Sequence, residues 1–328
     1  MISKNVNNIV VVGASAGGFS AISNLMSSLH SEMNAAMFIV IHVGRSSMTS
    51  VVLKHIQKNT SIPCKIAEDG DSIANNTIYL AQADHHLMIE KDKILVQRGA
   101  YENHWRPAID VLFRSAAAAY NSCVTGIILT GLLDDGTSGM SAIKRSGGIC
   151  IIQDLSDAEF PDMPNNVFQN VSVDYQLPVS AMGDVLNEML SNDQCVPVEV
   201  PKDVKLEAEI TMRMSSDPSL LEDLGTPTML TCPDCGGTLR KVTDDVVERY
   251  RCYTGHTFTE KSLDEQQIKA LENSLWVAIR MMEERKNLLE NLSSPNYPEQ
   301  NSTSSQISRV TDIKSHIDRL KTMLLEMH

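Results

Sequence analysis

A chain of 328 residues in which 42% of side chains are apolar and 21% charged has the balance of a folded soluble protein, and its length predicts about two modules rather than a disordered or fibrous molecule. The formal charge is −13 and neither half is basic, which argues against nucleic acid and anionic membrane surfaces as partners. The longest apolar stretch, Ala35–Val43, is far short of the ~20 residues that membrane insertion requires, and no apolar leader with a cleavage site precedes it, so the expected location is cytoplasmic.

From residue 8 to about 190, short β-rich runs alternate with amphipathic helical stretches. The clearest runs are Ile9–Val12, Met37–Val43, Gly126–Thr130 and Gly148–Gln153. This alternation predicts an α/β fold with a doubly wound, mainly parallel sheet and helices on both faces. Thr77–Ala81 and Met88–Gln97 read as additional strands, the second turning at Lys91-Asp92-Lys93, and Val111–Ala119 as a helix. A last helix runs from Ser180 to Leu190. Cys195-Val-Pro-Val-Glu-Val-Pro then breaks the helical period and marks a boundary.

The expected modules are therefore residues 1–194, a linker over 195–228 with helical character around Leu206–Met214, a cysteine-rich module over 229–262, and a helical hairpin over 263–328. In the hairpin, Ile268, Leu271, Leu275, Ile279 and Met282 recur at helical spacing. After the Ser/Asn/Pro-rich stretch 293–306, Ile313, Ile317, Leu320, Leu324 and Met327 do the same. Their apolar faces would meet each other or a partner, so self-association through these helices is an expectation.

The first β-rich run leads into Gly13-Ala14-Ser15-Ala16-Gly17-Gly18 and then a helix. Small residues in a strand-to-helix turn can hold one hydroxyl clear of the sheet edge, as in G-x-S-x-G, and free N–H groups at the helix start suit a developing oxyanion. A dinucleotide loop occupies the same structural place, and a purely structural turn is the third reading. No acidic residue ends a strand about 20 residues on, as a dinucleotide site would require; His42 ends the second run instead. Asp134 and Asp135 follow the Gly126–Thr130 run. In an open α/β sheet, side chains leaving the carboxyl ends of strands converge on one crevice. Ser15, His42 and one of these aspartates could thus form a nucleophile, base and orienting carboxylate. The plainer alternatives are a core histidine and a helix-capping aspartate.

Over residues 8–190 the chain resembles the catalytic domain of the chemotaxis-receptor methylesterase family (CheB). The resemblance rests on the serine turn, His42, Glu68-Asp69-Gly70-Asp71, Arg106-Pro107-Ala108-Ile109-Asp110-Val-Leu-Phe-Arg114-Ser, and Leu129-Thr130-Gly131 through Asp135-Gly136. It implies hydrolysis of glutamyl methyl esters, with deamidation of glutamines, on methyl-accepting chemotaxis receptors. It also implies Ser15 as nucleophile, His42 as base, Asp135 as the carboxylate orienting His42, and N–H groups of Ala16 and Leu132 facing the oxyanion. No cofactor is implied for catalysis. Trp105 departs from the family, many members having histidine before Arg-Pro, as does Ala16 where some carry threonine. Ser15 stands too near the start for the N-terminal receiver domain of two-component members, so the expected form is receiver-less. A non-catalytic signalling module that keeps the esterase fold is the alternative, and a nucleotide-binding regulator the third reading.

Cys232-Pro-Asp-Cys235 and Cys252-Tyr-Thr-Gly-His256 give C-x2-C-x16-C-x3-H. Two such turns facing across a hairpin supply a tetrahedron of thiolate and imidazole, the donor set of structural zinc in a zinc ribbon. The remaining cysteines, Cys64, Cys123, Cys150 and Cys195, read as buried small hydrophobes in a reducing compartment.

Overall fold

The computed structural model describes residues 6–44, 48–191, 195–196, 198–213, 222–243, 245–292 and 304–327. Met214, at the end of the expected helical stretch of the linker, and residues 293–303 of the Ser/Asn/Pro-rich stretch lie outside them. The chain folds as two compact units, Met1–Ser262 and Leu263–His328.

The first unit is built on seven parallel strands in the order β3-β4-β2-β1-β7-β8-β9. They are β1 (Ile9–Ala14), β2 (Ala36–Ile41), β3 (Cys64–Ile66), β4 (Thr77–Leu80), β7 (Val124–Ile128), β8 (Ile149–Gln153) and β9 (Tyr175–Leu177). β1, β2 and β7 are buried at every position, as continuous apolar runs in a sheet covered on both faces must be. The covering helices are α1 (Gly18–Ser28), α2 (Thr49–Gln57), α3 (Ile109–Tyr120), α4 (Thr137–Arg145), α5 (Asp162–Asn170) and α6 (Val179–Ser191). One core packs α3 and α4 under the sheet through Phe113, Leu112 and Met140; the other packs α1 and α6 above it through Leu25, Met26 and Leu186. From β1 the chain builds outward through β2 and then returns to the opposite side as β7, so the switch point lies between β1 and β7. A hairpin of β5 (His86–Glu90) and β6 (Lys93–Gln97) packs on α3. The Glu68-Asp69-Gly70-Asp71 turn fastens that hairpin: Val96 N–H donates to Asp69 Oδ1 at 3.0 Å, and Gly70 N–H to the Ile94 carbonyl at 2.9 Å.

The stretch after β9 and α6 carries α7 (Lys202–Arg213), with Val204, Glu207, Ala208 and Ile210 buried. Beyond it, β10 (Gly225–Thr231), β11 (Thr238–Val242), β12 (Arg249–Cys252) and β13 (Thr257–Thr259) form an antiparallel sheet. Cys123 and Cys195 form a disulfide, with Cα atoms 5.2 Å apart. This corrects their reading as isolated hydrophobes: the chain leaving α6 returns past the start of β7, which sequence spacing could not reveal. Cys64 is half-buried and Cys150 buried, both as free thiols.

The second unit consists of α8 (Glu260–Leu292), which begins just before the division, and α9 (Ser304–Glu326). Within it Ile279, Ile317 and Leu324 are buried, with Leu275, Met282, Ile313, Leu320 and Met327 packed around them. The two apolar faces meet each other. No helix among the described residues is long and apolar enough to cross a membrane.

Candidate active site

The ends of β1, β2 and β7 deliver Ser15, His42 and Asp135 to one place. Ser15 sits in the turn between β1 and α1, its N–H donating to the Thr130 carbonyl at 3.0 Å and its carbonyl accepting from Gly18 N–H at 2.8 Å. Gly17 makes this turn possible by adopting a left-handed φ of 72° at the helix start. The other wall is Gly131, where an added Cβ would meet Ser15 Cβ at 2.8 Å and collide with the Met163 sulfur.

His42 is buried between its two partners. Its Nδ1 lies 3.2 Å from Ser15 Oγ and its Nε2 2.9 Å from Asp135 Oδ2. An ionised carboxylate only accepts, so Nε2 carries the hydrogen and the lone pair of Nδ1 faces the serine. Trp105 stacks on the imidazole, with centroids 4.0 Å apart and planes 8° from parallel. An indole face in this position stabilises an imidazolium by cation–π attraction.

Asp135 accepts from four directions: His42, the N–H groups of Ile109 at 2.8 Å and Asp110 at 3.2 Å, and the Asn103 amide at 3.1 Å. Burial alone would raise its pKa, but the hydrogen bond and charge of His42 and these N–H donors outweigh it and hold the carboxyl below its ordinary range. The Ile109 and Asp110 donors are the free first turn of α3, aimed at a carboxylate as a helix N-terminus favours. Asp110 itself receives Gly136 N–H at 3.0 Å, Gly139 N–H at 2.6 Å and the same Asn103 amide at 2.9 Å. Burial and the neighbouring Asp135 charge push its pKa well up.

Asp134 is turned elsewhere, its carboxyl hydrogen-bonded to Thr259 and raised by burial. Of the competing histidines, His86 is a core residue donating from Nε2 to the Ala100 carbonyl at 2.8 Å, with its pKa lowered by burial. The two arginines of the 106–115 segment are structural: Arg106 holds Asp84 and the Gly99 carbonyl, and Arg114 pairs with Glu102.

Ala16 directly follows the serine. Leu132 is 47% exposed in the loop after β7. Neither N–H is taken by a backbone carbonyl among the described residues. The loop is set by Leu133 at a left-handed φ of 66°, whose carbonyl accepts from Asn166 Nδ2 at 2.8 Å. Asn103, Trp105 as a stacking partner and Asn166 were not legible as site residues in the sequence. The nearest signal was Asn103-His104 itself, asparagine being enriched at left-handed positions.

The donor atoms of Cys232, Cys235, Cys252 and His256 lie within 4.8 Å of one another. Cys235 Sγ is 3.6 Å from Cys252 Sγ, which is 3.5 Å from His256 Nδ1. A tetrahedral ion with arms of about 2.0–2.3 Å separates its ligand atoms by roughly 3.4–3.8 Å, so the three thiols and the imidazole fit a small soft cation with no protein ligand missing.

An open parallel α/β sheet with serine, histidine and aspartate meeting at its switch point defines the class of this molecule. A family model described as CheB methylesterase matches residues 10–186, and the chain belongs to that family. It is 34% identical over 185 residues to a Leptospira interrogans chain provisionally named protein-glutamate methylesterase/protein-glutamine glutaminase, covering 56% of this chain and 95% of that one. A Methanosarcina mazei protein named protein-glutamate methylesterase/protein-glutamine glutaminase 2 is 32% identical over 188 residues, covering 55% of this chain and 51% of the relative. The crystal structure of the Thermotoga maritima CheB methylesterase catalytic domain matches with a TM-score of 0.54 and 29% identity, over 56% of this chain and 98% of that one.

Proposed function

We propose that the chain is a serine hydrolase that cleaves glutamyl methyl esters, and deamidates glutamines, on a methyl-accepting chemotaxis receptor. The observation that carries this reading is the imidazole of His42, 3.2 Å from Ser15 Oγ on one side and 2.9 Å from Asp135 on the other. Ser15 Oγ attacks the ester carbonyl as its proton passes to His42 Nδ1. Asp135 and the face of Trp105 stabilise the imidazolium. The Ala16 and Leu132 N–H groups receive the oxyanion. Collapse breaks the bond to methoxide, which takes the proton from His42 and leaves as methanol. Water, deprotonated by the same nitrogen, then attacks the glutamyl-serine ester and releases the carboxylate and Ser15. With a glutamine the leaving group is ammonia.

Incubation of purified protein with methyl-esterified receptor fragments should release methanol, and Ser15→Ala should abolish the release. The alternative, a non-catalytic interaction module on the same fold, requires that Ser15 resist a fluorophosphonate probe in native protein. Zinc is the proposed occupant of Cys232, Cys235, Cys252 and His256, in a structural role since four protein ligands leave no position for substrate.

A further inference from the structure

The metal-binding sheet is joined to the triad by a short chain of contacts. Glu102 to Trp105 form a tight turn closed by Trp105 N–H to the Glu102 carbonyl at 2.9 Å, with Asn103 and His104 both left-handed at φ 49° and 69°. Two successive residues of that kind suit asparagine followed by glycine; with histidine second, the turn is strained and needs an external hold. The hold comes from β13. Asn103 N–H donates to the Thr257 carbonyl at 2.9 Å, and Thr257 N–H to the Tyr101 carbonyl at 3.2 Å. Thr257 directly follows His256, one of the four metal-ligand candidates, and the turn from Cys252 to His256 is what the cation would close. At the other end of the turn, the Asn103 amide holds Asp135 and Trp105 covers His42.

We infer that the metal-binding module is a positioning element of the hydrolase site, acting from His256 and Thr257 through the 102–105 turn, with Asn103 as the positioning residue for Asp135. This rests on the methylesterase reading for its kinetic consequence but not for its structural one. Loss of the metal loosens the 252–256 turn, frees Thr257, and lets Asn103 and Trp105 leave Asp135 and His42. Arg249, paired with Glu207 at 2.6 and 3.0 Å, and Ser138, donating to Asp245 at 2.7 Å, keep the module seated meanwhile. The change is therefore local.

The test uses the full chain carrying Trp276→Phe, a change in the second unit that leaves Trp105 as the only indole. Zinc is removed with a chelator, its loss is verified by elemental analysis, and retention of the fold is checked by far-ultraviolet circular dichroism. The expected result is a change in Trp105 emission as the imidazole stack opens, with methyl-ester hydrolysis falling roughly 10²-fold. Zinc-free protein with native dichroism and unaltered Trp105 emission overturns the inference. Absence of hydrolysis in the zinc-loaded protein sinks the methylesterase reading instead, and the emission measurement still decides this one. Should removal unfold the chain, Asn103→Gly in the loaded protein decides: the turn tolerates glycine, so zinc content is kept while kcat falls about tenfold or more at little-changed KM. An unchanged kcat in that variant overturns the proposal.

Discussion

Asp110 and Asp135 share one donor, the Nδ2 group of Asn103, at 2.9 and 3.1 Å, yet their carboxyls are driven in opposite directions. Both are buried, which favours the neutral acid. Asp135 recovers its charge from His42 and two helix N–H groups, whereas Asp110 faces that charge and is pushed toward protonation. One carboxyl is thus held toward its ionised form beside the imidazole, while its neighbour, pushed upward by burial and by that charge, braces the Gly136–Gly139 turn by accepting its N–H groups.

Asp135→Asn removes the charge and offers an amide where an acceptor is required, so His42 loses the tautomer that aims its Nδ1 lone pair at Ser15. The turn keeps two of its holds, because the amide oxygen, standing in the place of Oδ1, still accepts from Asp110 N–H and the Asn103 amide. Ester hydrolysis should fall about 10⁴-fold with KM nearly constant. Steady-state kinetics beside a melting curve checks this; a loss explained by unfolding would contradict it.

Gly131→Ala places a methyl against Ser15 Cβ and the Met163 sulfur. Overpacking of this kind costs about 1–3 kcal/mol and displaces the Ser15 turn. Thermal denaturation should show the destabilisation, and Met163→Ala in the same chain should recover part of it by vacating the sulfur's position. Failure of the second change to help would place the strain elsewhere.

Asn166→Ala releases the Leu133 carbonyl and with it the left-handed residue that shapes the 131–136 loop. If Leu132 N–H faces the oxyanion, kcat should drop about tenfold, less than the 10²–10³ expected for losing such a donor outright, because the donor is displaced and not deleted. KM should change little. A rise in KM at constant kcat would assign the loop to substrate binding.

The parallel sheet and the three strand ends could be read from the chain because buried parallel strands announce themselves as unbroken apolar runs such as Val10–Val12 and Ile127–Leu129. The three-residue edge strands Cys64–Ile66 and Tyr175–Leu177 could not, being too short to carry a period. The Ser15 turn, His42 and the cluster of Cys232, Cys235, Cys252 and His256 stood out in the chain because the chemistry expected of them needs particular residue types at fixed spacings. Asn103, Asn166 and the buried network of Glu102, Arg114, Glu207 and Arg249 act through tertiary contacts between distant segments, which no local pattern encodes. The same limit hid the Cys123–Cys195 pair.

Glu207 joins α7 to the antiparallel sheet of β10–β13 from a buried position, through Arg249. Burial opposes its charge, but Arg249 and Arg114 overcome this and bring its pKa from 4.5 to about 2. A carboxyl depressed on folding stabilises the protein above its unfolded pKa and loses that contribution as pH falls through the folded value. Glu207 therefore contributes about 3 kcal/mol at neutral pH, lost at about 1.4 kcal/mol per unit between pH 4.5 and 2. Glu207→Gln leaves Arg249 short of its partner and should cost about 3–5 kcal/mol at pH 7, the usual penalty for breaking a buried pair. Because the glutamine cannot titrate, the gap between the two proteins should narrow steadily below pH 4.5. Urea denaturation of both at pH 7 and pH 3.5 measures it, and an equal gap at the two values would show that Glu207 is not the group whose protonation loosens the module.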